Sequence, residues 1–65
     1  MARGFARQVK DILLDHGCER VRQGKGDHEI WQSPINQARF VVDGVIPSRH
    51  LANVVLKQAG IERKI

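Results

Sequence analysis

The residue of this chain best suited to moving a proton is His28. Histidine is the side chain whose ordinary titration falls near neutrality, which suits general acid–base work. His28 follows the run Gly24-Lys25-Gly26-Asp27 and opens a segment that reads as a strand. It can therefore stand at a sheet edge within reach of a backbone phosphate. Lys25 and Arg22 offer positive charge beside it, and Gly26 has no Cβ to hold a nucleic-acid backbone away. RNA carries its own nucleophile, the 2′-OH. A protein that cleaves it needs a base for that proton, an acid for the leaving 5′-oxygen and cations for the charge on phosphorus. The competing reading of His28 is a polar residue on a half-buried strand, sharing parity with Ile30.

Other chemistry-bearing residues point less sharply. Arg49 and His50 open the second helix, where they can contact RNA or simply face solvent; the positive dipole end there disfavours a charged imidazole. His16 ends the first helix, where a positive ring is favoured, and reads as structural. Trp31 alternates with Ile30, so one of the two can be exposed. An exposed Trp31 would stack a base or dock a protein partner, and a buried one would pack under a loop. Asp27, His28 and Glu29 are successive, so on a strand they point to opposite faces and cannot converge on a metal. Neither a metal nor a cofactor is expected. The single cysteine, Cys18, can form neither an internal disulfide nor a cysteine-based zinc site, and it reads as a small apolar filler suited to a reducing cytosol.

Sixty-five residues make one domain, spanning 1–65, and leave no room for a large cofactor-binding fold. A chain this short buries roughly 60% of its unfolded surface, so its core is thin. Hydrophobic residues make up 42% and charged residues 28%, which is ordinary for a folded domain. Eleven Lys and Arg against seven Asp and Glu give +4, which favours polyanionic partners. Met1 to Lys10 already carries Arg3, Arg7 and Lys10, so no apolar leader is expected, and no apolar run is long enough to cross a membrane.

Two helices and three strands must position these residues. Phe5, Val9, Ile12, Leu13 and His16 fall on one face of a 3.6-residue period, predicting a helix over about 4–16 with Gly17 as its stop. Arg3, Arg7 and Lys10 form a separate basic stripe. Residues 19–23 are extended, 24–26 turn, 28–32 alternate as a strand, 33–36 turn, and 38–42 form a third strand rich in β-formers. Connections this short imply an antiparallel meander. Ser48 is placed to cap a second helix, with Leu51, Val54, Val55 and Ala59 as its apolar face, Gly60 as its end and Ile61 folding back onto Leu56. The order is α-β-β-β-α, an α+β fold with both helices covering one face of the sheet.

The run Gly24-Lys25-Gly26-Asp27-His28-Glu29-Ile30-Trp31, followed by Ser33-Pro34-Ile35, resembles the HicA family of small toxins. So do Ser48-Arg49-His50-Leu51-Ala52-Asn53 and Leu56-Lys57-Gln58-Ala59-Gly60-Ile61. The similarity runs from about Val9 to Ile61. It implies a double-stranded-RNA-binding-domain-like fold and a cytoplasmic mRNA interferase that cuts mRNA without a dedicated metal. It also implies neutralisation by a HicB-type antitoxin, with RNA rather than DNA as the nucleic-acid partner. The family's catalytic histidine lies in a Gly-Ser-His motif, which the resemblance places at His28, and Asp27 stands where the family usually carries serine. The alternative is a non-catalytic RNA-binding module of the same fold. Long-duplex binders of this fold grip phosphates with several cations at the start of the second helix. Here that helix offers Arg49 and little else before Lys57.

Overall fold

The computed structural model describes residues 4–65. Its elements follow the order α1 (Ala6–Asp15), β1 (Glu19–Gln23), β2 (Glu29–Gln32), β3 (Arg39–Val42) and α2 (Arg49–Gln58). Arg3, part of the expected basic stripe, lies outside the described residues. No described helix is long and apolar enough to cross a membrane.

Both helices end the same way, for the same local reason. Gly17 and Gly60 adopt φ values of +83° and +77°, a region that costs a side chain-bearing residue about 1–2 kcal/mol. Each glycine N–H then reaches back to a carbonyl of the last turn, Gly17 to Leu14 and Gly60 to Lys57. The next residue donates to the carbonyl five positions earlier, Cys18 to Leu13 and Ile61 to Leu56. Cys18 and Ile61 are buried against the helix they close, as the apolar contact of this motif requires. At the start of α2 the Ser48 hydroxyl accepts from the Leu51 N–H at 3.1 Å.

The three strands form an antiparallel sheet in the order β1-β2-β3. Trp31 pairs with Phe40, and Glu29 with Val42. Trp31, Phe40 and Val42 are buried with Val9, Ile12 and Leu13 of α1 and Ala52 and Leu56 of α2. The two helices thus cover one face of the sheet, and the least extent of the molecule, 16 Å, fits one sheet and one helical layer. The opposite face carries Ile30 and Val41, a directly paired couple with Val41 exposed.

The turn between β2 and β3 joins the two layers. The Ser33 hydroxyl is fully buried; it donates to the Ala59 carbonyl at 2.6 Å and accepts from the Ile35 N–H at 3.1 Å. The Asn36 amide donates to the Gln58 carbonyl at 3.0 Å. Two carbonyls left without helical partners at the end of α2 are thereby satisfied from a loop more than twenty residues earlier. Asn36 also accepts from the Ala38 N–H, an Asx turn that lets Gln37 adopt φ +61°.

The expected apolar face of α2 needs correction. Leu51 is 47% and Val54 38% exposed, whereas Ala52, Leu56 and Ala59 are fully buried and Val55 packs partly against them. The helix turns Ala52 and Leu56 into the core, which leaves its large side chains at 51 and 54 outside it. They border a groove along the free edge of β3, together with Val41 and Val45.

Candidate functional site

The site begins with the turn that carries His28. Gly24 donates to the His28 carbonyl at 2.7 Å, and the His28 N–H donates to Lys25 at 3.1 Å. The Gln23 amide spans the loop from inside, donating to the Gly26 and His28 carbonyls at 2.8 and 3.1 Å. These bonds fix the backbone at His28 while Lys25 and Gly26 stay at the exposed tip. Gly26 has φ +62° and nothing within 4 Å of where a Cβ would stand, so this tip is open to solvent.

His28 lies one residue before β2, and Asp43 one residue after β3. The ladder pairs Glu29 with Val42 and Ile30 with Val41, so one further step sets His28 opposite Asp43 on the uncovered face. The side chains meet there, with Nε2 3.3 Å from Asp43 Oδ1. Asp27 Oδ1 lies 3.8 Å from the same nitrogen. The Asp27 carboxylate is seated against Gly44, where any Cβ would collide with it. The ring side chain is 49% exposed, so substrate has access to it. An ion pair this exposed contributes only about 0–1 kcal/mol to stability.

Arg22 reaches the same face because of a bulge. Arg20 pairs with Trp31, but Arg22 pairs with Ile30, so the register slips by one at Val21. In an unbroken ladder residues 20 and 22 would share a face. Instead Arg20 turns to the helical side and lies 3.5 Å from Glu29, while Arg22 shares the open side with Ile30 and His28.

The remaining candidates are placed elsewhere. Arg49 and His50 lie in the first turn of α2, in the helical layer, whereas His28 stands on the opposite, uncovered face of the sheet. His16 Nδ1 lies 2.9 Å from the Ile12 carbonyl, which makes it a closing contact of α1. Trp31 is 4% exposed, and its indole N–H donates to Glu29 at 3.0 Å. Of the two readings of Trp31, the structure gives the buried one, which offers little surface to a base or a partner. Glu29 also meets Lys10 at 3.3 Å, which turns one member of the basic stripe into a tie between α1 and the sheet. The hydrogen bond from Trp31 holds the Glu29 carboxyl below its ordinary value; burial opposes this, and Lys10 and Arg20 reinforce it. Among the described residues, no group of three His, Cys, Asp or Glu is placed to hold a metal ion.

Asp43 is the site residue that inspection of motifs does not find, since it sits in no recognisable run. Only the observed register, with Gln32 opposite Arg39, brings it to the ring.

A family model described as the HicA toxin of bacterial toxin-antitoxin matches residues 6–61 of the chain. No curated protein and no solved structure matches it.

Proposed function

The chain belongs to the HicA toxin family, a component of bacterial toxin–antitoxin systems, and we propose that it is a metal-independent endoribonuclease that cleaves mRNA with His28. The observation that supports this reading is the half-exposed His28 ring opposed to Asp43 on the uncovered sheet face, with Arg22 turned onto that face.

In the proposed reaction the 2′-oxygen attacks the adjacent phosphorus, and the bond to the 5′-oxygen breaks. His28 takes the 2′ proton as base or supplies one to the leaving oxygen as acid. Asp43 faces Nε2, which leaves Nδ1 as the nitrogen presented to the ribose. Arg22 and Lys25 offset negative charge growing on the phosphate. Gly26 lets the strand approach the turn closely.

The neutralising partner is proposed to be a HicB-type antitoxin. Its docking surface is assigned to the groove along the β3 edge, where Val41, Val45, Leu51 and Val54 expose apolar surface. Asp43 lines the same groove, so a protein seated there also covers the flank of the His28 site.

The test is cleavage of single-stranded RNA by the purified chain in EDTA. Wild type is expected to cut, and His28→Ala to lose at least a hundredfold of the rate, the lower range of a general acid–base contribution. Full cleavage by His28→Ala would remove that residue from the mechanism.

A further inference from the structure

The positive charge of the chain is not centred on His28. Residues 49–65 hold Arg49, Lys57, Arg63 and Lys64 against Glu62 alone, net +3 of the chain total of +4. The His28 site, by contrast, is flanked by two carboxylates.

The last residues are also shaped. Ile61 is buried, and the Ile65 N–H donates to Asn53 Oδ1 at 2.8 Å while its side chain packs on the core. Residues 62–64 therefore arch beside α2 rather than trailing away. His50, Asn53 and Lys57 fall on one stripe of α2, about 10 Å long. Between that stripe and the arch runs a groove bordered by Lys57, Arg63 and Lys64, with Val54 and one carboxylate, Glu62, also lining it. Among the described residues, none of these three cations forms an ion pair with a carboxylate.

We propose that this groove binds the phosphodiester backbone of RNA, as an attachment surface separate from His28. The proposal rests on the reading of the protein as RNA-acting and supplies what the site itself lacks. Carboxylates at 27 and 43 offset the positive charge of Arg22 and Lys25 beside the ring, so cations placed elsewhere on the strand's path add affinity. Three cations against the single carboxylate of Glu62 along one concavity provide it, and the tie from Asn53 to Ile65 holds the backbone arch that carries two of them. Contacts of this kind are sequence-independent and salt-sensitive.

The test uses the full chain and a fluorescent 2′-O-methyl RNA oligonucleotide, which has no free 2′-OH and cannot be cut. Lys57→Ala/Arg63→Ala is compared with Arg7→Glu, which removes the same two units of net charge from α1. The groove variant is expected to bind at least tenfold more weakly near 0.1 M salt. Its slope of log affinity against log salt should fall by about 1.4, that of two lost single-strand phosphate contacts. Arg7→Glu is expected to stay within threefold of wild type. Equal losses in both variants, or an unchanged slope in the groove variant, would overturn the groove while leaving an RNA-acting protein intact. Loss of binding to an acidic partner protein with RNA binding retained would also overturn it. Absence of RNA binding by the wild-type chain would overturn both the groove and the function it rests on.

Discussion

His28 and Asp43 stand opposite each other one step beyond the β2–β3 ladder, with Nε2 3.3 Å from Oδ1. The pair is held by register alone, since the two residues lie fifteen positions apart and belong to different turns. This arrangement aims an imidazole without burying it. A carboxylate facing one ring nitrogen favours a proton on that nitrogen.

Asp43→Asn keeps the shape and removes the charge. RNA cleavage should fall about tenfold, less than in His28→Ala, because asparagine can still contact the ring but no longer favours a donor at Nε2. Thermal unfolding should be nearly unchanged, since exposed ion pairs add about 0–1 kcal/mol. A large drop in melting temperature with cleavage retained would show that Asp43 serves the fold instead.

Glu29 should make stability depend on acid. Its carboxyl is held below the ordinary value of 4.5, so the folded chain binds that proton less readily than the unfolded one. The contribution is complete above about pH 4.5 and is lost as pH falls through the lower folded value. Glu29→Gln keeps an acceptor for Trp31 but loses the attraction to Lys10 and Arg20. It should cost about 1 kcal/mol at pH 7, with the difference from wild type vanishing in acid. Urea titrations of both proteins across pH 2.5–7 measure this, and a constant difference across that range would contradict it.

Ser33 and Gly60 test the contact between the turn and the end of α2. Ser33→Ala leaves the Ala59 carbonyl without its partner and should cost about 1–3 kcal/mol. Gly60→Ala forces a side chain into φ +77° and brings Cβ within 3.1 Å of Ile35 Cγ2, so it should cost at least about 1–2 kcal/mol. Denaturant midpoints report both values, and wild-type midpoints would refute the contact.

Leu51→Asp combined with Val45→Asp places charge in the β3 groove at positions already exposed and outside the groove of Lys57, Arg63 and Lys64. Folding and RNA cleavage should persist, while neutralisation by a co-expressed HicB-type antitoxin should fail. Growth of cells carrying both genes reads the outcome, and full neutralisation of the double variant would place the partner elsewhere.

Much of the fold was legible because its signals are local. Ser48, Gly17 and Gly60 mark helix ends through their own backbone chemistry, and the glycine-rich turn before His28 announces itself. The side chains of α2 were less legible. Leu51 and Val54 satisfy a helical apolar period, but Ala52, Leu56 and Ala59 are the residues that enter the core. Trp31 was equally open, since strand alternation separates two faces without saying which one the helices cover.

The sequence by itself determined the order of elements, their termini, the family resemblance and the presence of a histidine beside a cationic turn. Only the tertiary structure decided what that histidine faces. Strands spanning 28–32 and 38–42, aligned end to end, would set His28 opposite Val42. Ala38 instead pairs with Ser33, whose N–H donates to its carbonyl, and this offset of one residue brings Asp43 to the ring. The bulge at Val21 likewise moves Arg22 to the face of His28. Side chains alternate with a period of two, so a single residue of register exchanges one face for the other, and packing of the whole sheet sets that residue.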